Sequence, residues 1–116
     1  MTAILFLVQR ASAAVLAFCV TVHLATIIYA VRGGLAAGEV LARTRENHLF
    51  FAFYLLFVFA VAIHASIGLR NVLREWTPWE GRSLDVVVAL FALLLLAIGV
   101  RAAVAVYLPP DVMFGT

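Results

Sequence analysis

The chain has 116 residues, enough for one domain. It is 66% hydrophobic and only 12% charged, with a mean hydropathy of +1.15; a soluble fold this short cannot hide so much apolar surface, so lipid must cover it. The formal net charge of +2, without a basic run longer than two residues, sets nucleic-acid binding aside, and the single cysteine, Cys19, excludes an internal disulfide, a Cys-x-x-Cys-His haem attachment and a cysteine zinc site.

The first apolar stretch, Ala3 to Val8, has no positive residue ahead of it. The run after Arg10 is of full membrane length and lacks a cleavage site, so a removed leader is not expected. A helix needs about 20 apolar residues to span the hydrocarbon core. The run over 11–31 meets this, interrupted only by Ser12, Thr21, His23 and Thr26. Ser12, Leu16, Cys19, His23, Thr26 and Ala30 recur at helical spacing and are mostly small or polar, which predicts a face packed on protein rather than lipid. His23 on that face is either a hydrogen-bonded seam residue or an iron ligand. Arg10, flanked by Gln9 and Ser12, either snorkels to the interface or joins Ser12 and Glu75 around a polar head group.

Arg32 to His48 holds Gly33-Gly34, Gly38 and mixed charges, which predicts a polar loop with a brief surface helix over 38–47. His48 opens the next helix near an interface, where water can satisfy it. That second helix is predicted over 49–73. Within it His64, Gly68, Asn71 and Glu75 stand at i, i+4, i+7 and i+11, on one face. An ionisable group inside a bilayer is a candidate functional group, and imidazole is a good axial ligand for haem iron. A glycine one turn on leaves room for a flat macrocycle, and Arg70 is placed to reach a propionate. The competing reading has His64 and Ser66 hydrogen-bonding across a helix interface.

The polar segment up to Ser83 carries Trp76 and Trp79 among charges, the composition of an interfacial belt. A third helix is predicted over 84–107, with Asp85 at its start, Arg101 late in it, and Pro109-Pro110 as the stop. Arg101 either snorkels to the far interface or neutralises a buried acid. Arginines number four on each side of the predicted membrane, so the positive-inside rule gives no orientation. Depth is more informative. His23 lies 13 residues from Arg10 and His64 six from Arg70, or ~20 Å and ~9 Å along their helices. If the two arginines mark one membrane face, the histidines serve different depths, and each needs a partner ligand from another subunit.

The stretch His64-Ala-Ser-Ile-Gly68-Leu-Arg70-Asn-Val-Leu-Arg-Glu75-Trp76, with Gln9-Arg10-Ala-Ser12-Ala and the three-helix layout, resembles a membrane-anchor cytochrome b subunit of the succinate dehydrogenase and fumarate reductase family (complex II). The family carries His, three residues, Gly, one residue, often Arg, then Asp and an aromatic in its second helix. Its first helix opens on His-Arg-x-Ser/Thr-Gly. Here Gln9 stands for the His, Ala13 for the Gly, and Glu75-Trp76 for the Asp-aromatic pair; the carboxylate is kept, and the indole N–H can still donate.

The resemblance implies haem b ligated by His64, with Gly68 and Arg70 beside it, and a second haem nearer the far face on His23. It implies a quinone pocket drawing on Arg10, Ser12, Glu75 and Trp76. The implied partners are flavoprotein and iron–sulfur subunits and a second membrane-anchor subunit or second copy. The implied setting is the cell inner membrane, multi-pass, with the N-terminus and second loop cytoplasmic. The expectation is therefore an all-α, three-helix transmembrane bundle forming one domain over 1–116. It passes electrons between an iron–sulfur subunit and quinone and does no succinate chemistry itself. The alternative is a haem-free structural anchor of a related oxidoreductase. A small transporter is a third class, disfavoured because every acidic residue lies at a helix end or in a loop.

Overall fold

A computed structural model describes residues 2–108. Its elements in chain order are α1 (Ala3–Arg32), α2 (Ala37–Thr44), α3 (His48–Trp76) and α4 (Arg82–Tyr107). The described residues contain helices and no strands. The long helices α1, α3 and α4 have 30, 29 and 26 residues and are apolar enough to cross a membrane. At ~1.5 Å per residue each outreaches a hydrocarbon core of about 30 Å. The chain is an all-α membrane protein with three transmembrane helices.

Each long helix begins where local chemistry satisfies its first free N–H groups. Thr2 caps α1, its hydroxyl accepting from Leu5 N at 3.2 Å. That cap starts α1 eight residues ahead of the predicted 11, since Gln9 and Arg10 are good helix formers and do not interrupt it. Asn47 caps α3, Oδ1 accepting from Leu49 N at 3.1 Å and Phe50 N at 3.2 Å. The α3 helix runs on to Trp76, so Arg74, Glu75 and Trp76 are helical. Gly81 precedes α4 at φ 92°, a conformation that suits glycine. Leu108, before Pro109, turns extended, as a residue preceding proline must. Pro109-Pro110 lies outside the described residues.

α3 lies between α1 and α4 and runs antiparallel to both, while α1 and α4 scarcely meet. The result is a slab of 49 × 33 × 21 Å. Small residues set the spacing. A Cβ added at Gly99 would stand 2.5 Å from Val58 Cγ1, so α4 can approach α3 there only through glycine. Among the described residues, buried side chains are few and mostly small: Ser12 and Cys19 on α1, Thr44 on α2, Ala60, Ala62 and Ser66 on α3, Leu84, Val88 and Ala103 on α4. Of the described large apolar residues only Leu84 and Val88 are buried; the others are partly or fully exposed, as lipid-facing helices require.

The short helix α2 spans Ala37–Thr44, close to the predicted surface helix. It is tied to the end of α4 through carbonyls that the helix leaves without intrahelical partners. Thr44 Oγ1 donates to Val106 O at 3.0 Å, Glu46 N to Tyr107 O at 2.9 Å, and Arg45 to Leu108 O. His48, placed at an interface by the sequence, is exposed and hydrogen-bonds Tyr107 through Nδ1 at 2.9 Å.

Candidate functional site

The packing of α1 against α3 joins Ser12 to His64. Ser12 Oγ lies 3.4 Å from His64 Nδ1 and donates its own proton to Gln9 O at 3.0 Å. Ser12 is 7% exposed, so water does not compete for this hydroxyl. One turn along each helix, Gln9 meets Gly68: an added Cβ there would lie 3.5 Å from Gln9 Nε2. The open side of Gly68, expected to leave room for a macrocycle, carries the Gln9 amide. Gln9 Oε1 is itself buried without a hydrogen-bond partner among the described residues.

Arg70 is half-buried and pairs with Asp85 in the first turn of α4, Nε to Oδ1 at 3.0 Å. Asp85 was read from the sequence only as the start of a helix. Its signal was available: it is the one carboxylate directly preceding the third apolar run, and it falls across a short connection from Arg70. Arg10 is exposed on α1, with its guanidinium 5.5 Å from the centre of the Phe6 ring. Glu75 and Trp76 are exposed at the end of α3, Trp76 at 82%. The antiparallel register places all of them at the Ser12–His64 end of the slab. Among the described residues, no hydrogen bond or ion pair links Arg10, Ser12, Glu75 and Trp76 to one another. Ser12 faces inward to His64, whereas Arg10 faces outward.

His23 sits at another level. Its ring stands edge-on to Tyr54 and Phe57, at centroid distances of 6.2 and 5.7 Å. Eleven residues of α1 separate Ser12 from His23, ~16 Å along the axis. The two histidines therefore occupy different depths. His23 Nδ1 is buried and without a hydrogen-bond partner among the described residues. The ring borders an open pocket of about 520 Å³, also lined by Phe57, Val61 and Gly99 and by Leu41 and Thr44 of α2. No sequence signal marks this open pocket, because its lining comes from four elements distant in the chain.

Two lone imidazoles at separate depths suit single axial ligation of a prosthetic group, which asks each helix for one nitrogen. Among the described residues, no three His, Cys, Asp or Glu side chains cluster to hold a bare metal ion. At His64 the donor set fits haem: one ring nitrogen is taken up by the Ser12 hydroxyl, which leaves the other available. At His23 a buried, unpartnered nitrogen and a cavity are present together.

Over residues 1–104 the chain matches the model of the family described as "Succinate dehydrogenase/Fumarate reductase transmembrane subunit". No curated protein and no solved structure matches it.

Proposed function

The chain belongs to the succinate dehydrogenase/fumarate reductase transmembrane subunit family, and on that premise we propose that it ligates haem b through His64 and forms part of a quinone site. Membership implies flavoprotein and iron–sulfur partners, and the anchor serves electron transfer between the iron–sulfur subunit and quinone. The observation that supports this reading is the contact of Ser12 with His64 across the α1–α3 seam, with Arg70 half-buried about two turns further along α3.

When bound, haem supplies one-electron storage beside the quinone. The residues of this chain do the holding. His64 offers one ring nitrogen to iron. Arg70 would offer its positive charge to a propionate. Arg10, Glu75 and Trp76, exposed at the same end, offer a guanidinium, a carboxylate and an indole N–H to a quinone head group. Ser12 contacts His64 rather than these exposed groups. A further ligand would come from a second membrane subunit or a second copy. His23, with its cavity, is the candidate for a second haem. The setting is the cell inner membrane, with the N-terminus and the α3–α4 connection on the cytoplasmic side, under the soluble subunits.

One observation favours the second reading, a haem-free structural anchor. The Gln9 amide occupies the side of Gly68 where a macrocycle would need room. The two readings separate on one experiment: purify the complex, reduce it with dithionite and record the pyridine haemochrome. A b-type spectrum supports ligation. A complex with its soluble subunits present and no Soret band supports the haem-free anchor.

A further inference from the structure

The Ser12–His64 contact does more than fill the helix seam, because its protons can be assigned. A serine hydroxyl has one proton and two acceptor lone pairs. The Ser12 proton is committed to a backbone carbonyl, Gln9 O at 3.0 Å. With that proton on the Gln9 carbonyl, the oxygen presents a lone pair to the imidazole nitrogen 3.4 Å away, an arrangement that favours a proton on Nδ1. In neutral imidazole one nitrogen is a donor and the other an acceptor. A proton on Nδ1 therefore leaves Nε2 with the bare lone pair that a metal requires.

We infer that Ser12 is the positioning residue of His64: its hydroxyl accepts the Nδ1–H and selects the tautomer in which Nε2 is the ligating nitrogen. Three features make the arrangement specific. Ser12 is 7% exposed, so solvent cannot replace the acceptor. The Gln9 carbonyl is part of α1 itself, so the hydroxyl is held by the helix that presents it. His23, the other membrane histidine, has no such partner: its Nδ1 is buried and unpaired among the described residues. The two rings are therefore prepared differently. An acceptor on the far nitrogen also makes an imidazole a stronger donor to iron and favours the oxidised metal. Ser12 thus acts through His64 and lowers the tendency of its haem to be reduced. Its place is behind the ligand rather than against the quinone.

This inference rests on His64 as an axial ligand, and the test separates the two claims. In the assembled complex, Ser12→Ala, Ser12→Thr and His64→Ala are compared by haem content, redox titration of the b-type band and the electron paramagnetic resonance of the oxidised haem. Ser12→Ala is expected to keep the haem but to raise its ratio of reduced to oxidised form about five-fold at a fixed ambient potential, the effect of one ordinary hydrogen bond. The low-spin resonance should shift with it. Ser12→Thr, which keeps the hydroxyl, should restore both. Should Ser12→Ala fail to retain haem, Ser12→Cys supplies a weak acceptor in the same place, and an intermediate rise supports the role. A wild-type potential and resonance in a haem-loaded Ser12→Ala or Ser12→Cys complex overturns it. Full haem retention in His64→Ala overturns the ligand assignment itself, and the role of Ser12 with it.

Discussion

Arg70 and Asp85 close an ion pair, Nε to Oδ1 at 3.0 Å, that pins the end of α3 to the start of α4. Each anchors its helix at the same membrane edge, beside the end of the slab that holds Ser12 and His64. Arg70 therefore has two candidate duties, one toward Asp85 and one toward a haem propionate.

Substitution separates those duties. The pair is 24% and 57% exposed at its two side chains, so its coupling should be well under ~1 kcal/mol. A double-mutant cycle of Arg70→Gln and Asp85→Asn on thermal stability in detergent reads this directly. Haem content reads the other duty. Arg70→Gln should lower it while Asp85→Asn leaves it near normal. Equal loss in both variants would assign Arg70 to structure alone.

Gly99 is predicted to be intolerant of any side chain. A Cβ there meets Val58 at 2.5 Å, and Val58 is a stiff, branched residue on the facing helix. Gly99→Ala should cost about 1–3 kcal/mol by overpacking, and Gly99→Leu more. The paired change Gly99→Ala with Val58→Ala should recover most of the loss. Melting of the purified complex is the measurement, and no recovery in the pair would place the strain elsewhere.

His23 should reveal its role by counting. If it ligates a second haem, His23→Leu removes one haem per flavin and leaves the His64 haem unchanged. If it only packs, the haem-to-flavin ratio is unaltered. Stability should then hold or rise, because leucine removes a buried nitrogen that lacks a partner among the described residues. The ~16 Å between the Ser12 and His23 levels along α1 makes the two sites independent, so effects of the His23 and His64 changes on haem content should add.

Much of the architecture was legible in the sequence because apolar run length answers directly to bilayer thickness. Three runs between charged segments became three helices. The seam face was legible in part: of the residues picked out by helical spacing, Ser12 and Cys19 are buried and Leu16, His23 and Ala30 partly so, while Thr26 is exposed. The depth difference between His23 and His64 followed from counting residues to the flanking arginines, and their separate neighbours, Tyr54 and Phe57 for one and Ser12 for the other, bear it out.

Helix ends were less legible. Gln9-Arg10 reads as a boundary by charge, but a helix continues through residues of good propensity when a cap such as Thr2 lies further back. Side-chain pairing across helices was not legible. Ser12 and His64 are separated by 52 positions, and no periodicity sets the register of one membrane helix on another. For the same reason Gln9 beside Gly68 and the open pocket beside His23 appear only in three dimensions. Arg10, Ser12, Glu75 and Trp76, read together from sequence, share one end of the slab, but Ser12 is turned away from the other three.

The central claim is that His64 is an axial ligand of haem b, and the most direct measurement is the pyridine haemochrome of the assembled complex carrying His64→Ala. The account predicts that the soluble subunits still assemble on the anchor while the main b-type signal is lost. An assembled complex with undiminished b-type haem would contradict it.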